Sequence, residues 1–337
     1  MEETANILNL VDAPAVVEPY LHFFYNKEEV QLIGKLKKEK LPAEEIALLM
    51  QKSTDETTDL LEKAYRRYVV NKEADDGGRD LYSLSLFYNR IGFASVFENY
   101  YILPRKLRVA LDEWHFQEYV KLHDHFKTVK EGDPAYEQCH NDLVLLLDEL
   151  EEMIEVAPVI RVLPCDCKML ADRCDHSREV CLWFSPEMIE RKTRGQDLGW
   201  ELTKEEALKL VRSINKEGLM HTGSPFNWRE EGPTVVCSCC TCCCYPFRAA
   251  QELETKGKWP YSRYIAKYDP SLCSHCGRCT KRCQFKAFTF SDEKVKVGNR
   301  EKKKIHFEPE LCWGCGLCAE TCPEKAITME PIPGRIE

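Results

Sequence analysis

The sequence predicts an α+β protein of several domains, and three observations carry that expectation. Apolar residues at helical spacing dominate the first third, cysteines crowd the middle, and one cysteine spacing occurs twice near the end. At 337 residues the chain can hold two or three domains with proper cores. The expected divisions are residues 1–133, mainly helical, residues 134–257, helical and cysteine-rich, and residues 258–337, built around the repeated cysteines.

The first part reads as three helices followed by a small hairpin. Lys27 to Leu36 carries Val30, Ile33 and Leu36 on one side, Pro42 opens Ala43 to Met50, and Ser53 or Thr54 caps Asp55 to Arg67. Val69-Val70, a turn at Asp75 to Gly78, and Leu81 to Leu86 supply two strands. This is the winged-helix pattern. A winged helix reads DNA with its third helix, but here that helix starts with Asp55, Glu56 and Asp59, which would face phosphates. Docking or scaffolding is therefore expected, and nucleic acid is not the expected partner. Further helices are expected from Pro104 to about Lys130 and from Asp142 to Val156; His115, His123 and His125 are read as surface histidines and Cys139 as a lone structural thiol.

The middle carries ten thiols in two patches: Cys165, Cys167, Cys174 and Cys181, then Cys237, Cys239, Cys240, Cys242, Cys243 and Cys244. A helix over Glu205 to Asn215, opened by a Thr203–Glu206 capping box and ended by Gly218, would fold the patches together. With no oxidising compartment to pair them, these thiols call for metal. Three readings stay open: one or two further [4Fe–4S] clusters, a larger or non-cubane cluster that carries out chemistry, and zinc. His221 is a candidate ligand nearby, or a structural residue.

Near the end, Cys273, Cys276, Cys279 and Cys283 form a C-x2-C-x2-C-x3-C run, and Cys312, Cys315, Cys318 and Cys322 repeat it before Pro323. Such a run points three thiolates at one cubane and sends the fourth to the other. Two [4Fe–4S] clusters are expected, one on Cys273, Cys276, Cys279 and Cys322, the other on Cys312, Cys315, Cys318 and Cys283. A single zinc ion is poorly served by four cysteines at these spacings. From about Pro270 to Ile327 the chain resembles the bacterial-type two-cluster ferredoxins, including small residues inside the loops (Gly277, Gly314, Gly316) and apolar stretches after each run. Gln284 departs from the pattern, standing where that family usually has a second Pro. The stretch Arg161 to Lys168, the Cys181-Leu-Trp-Phe segment, Gly218 to His221 and the Cys237 patch are similar to those of a family of dicluster ferredoxin-like proteins from anaerobes. That family is described as iron–sulfur binding, and the resemblance implies no assigned reaction.

Charge is uneven although the net value is −9. Glu131 to Val156 holds nine acids and no Lys or Arg, whereas Gly257 to Glu310 holds thirteen Lys or Arg against six acids. That basic collar would neutralise reduced clusters or steer an acidic redox partner, or protect a hairpin edge turning near Gly298-Asn299. The first residues show no signal-sequence pattern and no apolar run approaches a membrane span, so a reducing cytoplasm is expected. Radical adenosylmethionine triplets, Cys-Cys-Gly pairs, G-x-G-x-x-G and P-loop motifs are missing from the chain. The expected function is one-electron transfer to or from an oxidoreductase partner. A cluster-based reductase centred on the middle cysteines comes second, and a redox-responsive winged-helix regulator third.

Overall fold

The computed structural model describes residues 2–129 and 143–335, so Cys139 and the division expected after residue 133 lie outside the described residues. Helix and sheet are mixed, as the α+β class requires. By contacts the chain forms two units whose segments interleave: the first takes in Met1–Tyr119, Asp166–Asp172 and Glu190–Leu198, the second Val120–Cys165, Arg173–Ile189 and Gly199–Glu337. No helix among the described residues is long and apolar enough to cross a membrane.

In the first unit, α1 (Glu2–Leu10), α2 (Lys27–Leu36), α3 (Ala43–Met50) and α4 (Thr54–Arg66) precede the pair β2 (Val70–Ala74) and β3 (Asp80–Leu84). The short β1 (Leu41–Pro42) pairs with β3, giving the order β1-β3-β2. Local chemistry sets these boundaries. Asn26 Oδ1 accepts from the Glu29 N–H at 2.9 Å while the Glu29 carboxylate accepts from the Asn26 N–H at 2.8 Å, and Ser53 with Glu56 repeats the box at the start of α4. The hairpin reverses where Asp75 Oδ1 accepts from the N–H groups of Gly77 and Arg79, both at 2.9 Å. Leu32, Ile33, Leu36, Leu61 and Phe87 form the centre of the core. A buried ion network crosses it: Arg67 bonds Glu29 and Glu98, and Arg90 reaches Glu98 at 2.6 Å and the Phe24 carbonyl at 2.9 Å.

Helices α5 (Phe87–Phe97) and α6 (Arg105–His123) follow. Of the three histidines expected on the surface, His115 is buried: its ring stacks on Tyr88 at 4.0 Å, and Nε2 lies 3.1 Å from the Tyr88 carbonyl. Helical spacing turned it inward beside Leu111. His123 is half-buried and His125 exposed.

The second unit is organised by a seven-stranded sheet in the order β10-β4-β8-β9-β6-β5-β7. Its strands are β4 (Leu143–Leu145), β5 (Arg161–Pro164), β6 (Glu179–Trp183), β7 (Trp200–Glu201), β8 (Met220–Gly223), β9 (Val235–Cys239) and β10 (Tyr261–Ser262), and only β10–β4 is parallel. A middle region expected to be helical is thus a sheet with helices added. The strands are short and mostly covered on both faces, so they lack the alternation that would mark them in sequence. The same misreading merged Asp142 to Val156 into one helix. Leu143–Leu145 pairs with β8, and α7 (Leu147–Val156) begins only after Glu149 accepts from the Leu146 N–H at 3.0 Å. Helix α8 (Lys204–Glu217) starts on the Thr203–Glu206 box and ends at Gly218, φ 99°.

The last part of this unit pairs β11 (Tyr264–Tyr268) with β14 (Ile327–Pro331) and forms the hairpin of β12 (Phe288–Val297) and β13 (Arg300–Phe307), which turns at Gly298-Asn299. A buried ion pair, Arg263 to Glu149 at 2.8 Å, ties the residue before β11 to α7.

Burial pushes the His115 pKa down to about 4. The unfolded chain accepts a proton there near pH 6.5 while the fold refuses it, so stability is whole above pH 6.5 and falls as pH drops toward 4. Between pH 6.5 and 5 the loss should be about 2 kcal/mol. Hydrogen exchange of the α5 amides in the intact chain would read it, and His115→Gln should flatten the slope.

Candidate metal centres

Four groups of thiols are brought together in the second unit. The repeated runs form the first two, and their cysteines recur at an offset of 39 residues. Gly277 and Gly316, both φ 76°, cap the short helices α10 (Arg278–Arg282) and α11 (Leu317–Glu320); His275 and Gly314 take φ 49° and 71°, Lys286 and Lys325 φ 59° and 51°. Positive φ turns the N–H groups of each loop inward. His275 N–H donates to Cys273 Sγ at 3.3 Å and Gly314 N–H to Cys312 Sγ at 3.4 Å; Ala287 N–H donates to Cys283 Sγ at 3.2 Å and Ala326 N–H to Cys322 Sγ at 3.3 Å. Gly314 has no alternative: a Cβ there would lie 2.2 Å from the Tyr264 carbonyl oxygen.

The thiol sets are crossed. A small apolar-lined space is walled by Cys273, Cys276 and Cys279 of the first run together with Cys322 of the second. In the other set, burial raises Cys318 and then Cys315, Cys312 and Cys283 add to it; Cys315, pushed up to about 12 by burial, likewise feels Cys312 and Cys283. Burial also pushes Cys279 up to about 12, with Cys273 next. Binding metal therefore releases protons from these thiols. Phe288, Ile305 and Ile327 pack between the cysteines as an apolar filling. These donor sets, four thiols brought together beside apolar side chains with N–H groups on the sulfurs, fit [4Fe–4S] cubanes.

The middle cysteines form two further groups. β6 and β9 pair Cys181 with Cys237 in register, Sγ to Sγ 3.3 Å, and the period of two puts Cys239 on the same face. Cys181 also meets Cys165, which follows β5, while Cys239 meets Cys237 and Cys244. All but Cys237 are buried. Ser238 points to the opposite face, where its Oγ lies 3.0 Å from His221 Nδ1, so His221 stands away from this group. The second group is Cys174, Cys240, Cys242 and Cys243, whose sulfurs all lie within 4.8 Å of one another. Cys240 to Cys243 occupy a tight turn closed by the Cys244 N–H on the Cys240 carbonyl at 3.2 Å. Burial pushes Cys242 up to about 12, with Cys240 next. Cys167 lies on the helix Asp166–Ala171, in the first unit.

Sequence reading missed what joins these groups. Gln284 directly follows Cys283, and its Oε1 accepts from the Thr241 N–H at 2.7 Å while its Nε2 donates to the Gly218 carbonyl. Proline could do neither. Phe247 of α9 (Tyr245–Glu252) packs against Phe285 and Trp313, which stack at 4.6 Å. Residues flanking cysteines of both runs are thus fastened to the middle turn and to the helix after Cys244. The departure at Gln284 was the available signal.

Two outcomes follow from the crossed sets and the joint. Cys276→Ser and Cys322→Ser should abolish the same low-temperature EPR signal and Cys283→Ser the other; pairing by run would instead group Cys276 with Cys283 and leave Cys322 to the other signal. Gln284→Ala should keep both signals while lowering the unfolding free energy by about 1–2 kcal/mol in denaturant titration.

Residues 272–326 match the family model described as a 4Fe-4S dicluster domain. The chain matches no curated protein and no solved structure. A ferredoxin-type iron–sulfur domain occupies that stretch.

Proposed function

We propose that the protein carries single electrons between a redox protein and an oxidoreductase, using [4Fe–4S] clusters on Cys273, Cys276, Cys279 and Cys322 and on Cys312, Cys315, Cys318 and Cys283. The observation that supports this most is the space walled by thiols of both runs. A cubane seated there takes up and releases one electron; everything else is work of the chain. Phe288, Ile305 and Ile327 exclude water, and the four N–H donors offset negative charge on sulfur, which favours the reduced state.

Order along the chain's interior supports a direction for the route. Cys276 is the exposed cysteine of the first set, and the basic hairpin lies against its loop, with Lys302 Nζ on the Ser274 carbonyl at 2.7 Å and Ile305 N–H on His275 Nδ1 at 3.0 Å. The second set is the one joined, through Gln284, Phe285 and Trp313, to the middle thiols. We therefore place the partner-facing end at the hairpin and the inner end at the middle cysteines. The group of Cys165, Cys181, Cys237, Cys239 and Cys244 is our candidate for a third cluster. Its 3.3 Å contact is too short for two ligands of one cubane, so one of Cys181 and Cys237 serves and the other does not. Burial of this group favours a relay over a reductase centre, which would need an iron open to substrate.

We read the first unit as a winged-helix-like docking module. Asp55, Glu56 and Asp59 are exposed at the start of α4, and Arg194 binds the Tyr65 and Val70 carbonyls near its end, at 2.5 and 2.8 Å. Both features favour a protein partner over duplex DNA. A reducing cytoplasm suits the open thiols.

Iron and acid-labile sulfide on anaerobically purified protein should come to about twelve each per chain; about eight would confine clusters to the repeated runs. Lys296 and Lys303 are exposed on the hairpin. Reversing both to Glu should slow oxidation of the reduced protein by hexacyanoferrate several-fold at low salt and leave a cationic cobalt oxidant no slower. Equal effects on both oxidants would remove the hairpin from the route.

A further inference from the structure

The four-thiol cage differs in scale from the thiol sets of the repeated runs. Cys174 Sγ lies 3.8 Å from Cys240 Sγ and 3.6 Å from Cys243 Sγ, and Cys242 Sγ lies 3.9 Å from Cys243 Sγ. Four sulfurs around one tetrahedral ion, each at about 2.3 Å, stand about 3.8 Å apart. A cubane is a larger object. With the same bond length on an idealised cube, each thiolate sits about 4.3 Å from the centre and the thiolates roughly 6–7 Å apart. The chain supplies its own control: among the described residues, the cage is the one set of three or more Cys, His, Asp or Glu ligand atoms lying mutually within 4.8 Å, and the eight cysteines of the repeated runs form none.

We propose that Cys174, Cys240, Cys242 and Cys243 form a tetrahedral tetrathiolate site for one thiophilic metal ion, zinc or iron, separate from every cubane site of the chain. The supports are those of a closed structural centre. All four ligands are protein sulfurs, two of them buried, which leaves no position for water or substrate. Arg173 N–H donates to Cys243, the outer hydrogen bond that steadies a thiolate on its metal. The ligands come from far apart in sequence, so the ion fastens the segment of Cys174 to the turn after β9. That turn carries Thr241, whose N–H holds Gln284 beside Cys283. The ion thereby fixes the inner end of the ferredoxin part without taking part in electron flow when it is zinc.

The test uses the full chain purified without oxygen. X-ray absorption at the zinc edge, or at the iron edge if zinc is below one per chain, is read together with metal and sulfide counts on wild type, Cys174→Ser and Cys242→Ser. The expected result is about one ion per chain lost in each variant, no sulfide lost, and the reduced-cluster EPR unchanged. The zinc edge of the wild type should show four sulfurs at about 2.3 Å and no neighbouring metal. If iron fills the site, the variants should instead lose the signal of an isolated high-spin ferric ion from the oxidised protein. Loss of about four irons with about four sulfides would overturn the proposal, and so would variants with unchanged metal content. Wild-type absorption decides the matter if the variants do not fold. Empty repeated runs beside a filled cage would sink the electron-transfer reading and spare this one.

Discussion

Thiolates held at contact distance repel one another unless a cation stands between them, and the second unit is arranged around that constraint. Eighteen cysteines are free thiols in the described residues, and seventeen of them belong to this unit. Burial and neighbouring thiols push Cys181, Cys239 and Cys318 up, so metal binding to these would displace protons. The pairing of β6 with β9 sets Cys181 against Cys237.

Two periodicities then sort the sulfurs. In β9 the period of two keeps Cys237 and Cys239 on one face and leaves Ser238 for His221 on the other. Beyond the strand the turn breaks that alternation, so the neighbours Cys239 and Cys240 go to different groups, and Cys243 and Cys244 do likewise. A dense run of six cysteines over eight positions is thus divided between two thiol groups. In the repeated runs, single glycines at positive φ perform the same sorting on a smaller scale, releasing the fourth cysteine of each run to its neighbour.

The iron–sulfur domain was legible because its cysteine spacing is local: three cysteines fall within one loop, and loop geometry depends on few residues. The hairpin turn at Gly298-Asn299 and the capping box at Thr203 were legible for the same reason. The middle sheet was not. Leu143–Leu145 is wholly buried, and a buried apolar run looks alike as strand or helix until its partners, nearly eighty residues on in β8, are known. The division of the middle thiols depends on that pairing and was hidden with it. His115 was misjudged by reading residue type instead of helix face.

The first unit raises a different question of charge. A helix that read DNA would present cations along its leading turns, yet the cations of α4 are committed elsewhere or sit at its far end: Arg67 is held by Glu29 and Glu98, and only Lys63 and Arg66 stay exposed. The leading turn is acidic because its acids cap the helix and favour its positive end, a structural use that opposes a phosphate backbone. Its end is further occupied by Arg194, whose guanidinium lies 3.5 Å over the Tyr68 ring. An acidic front with a blocked end opposes a phosphate backbone. The same fold can then serve docking with no change in its core, because the core is set by Leu32, Leu36 and Leu61 and not by what α4 displays.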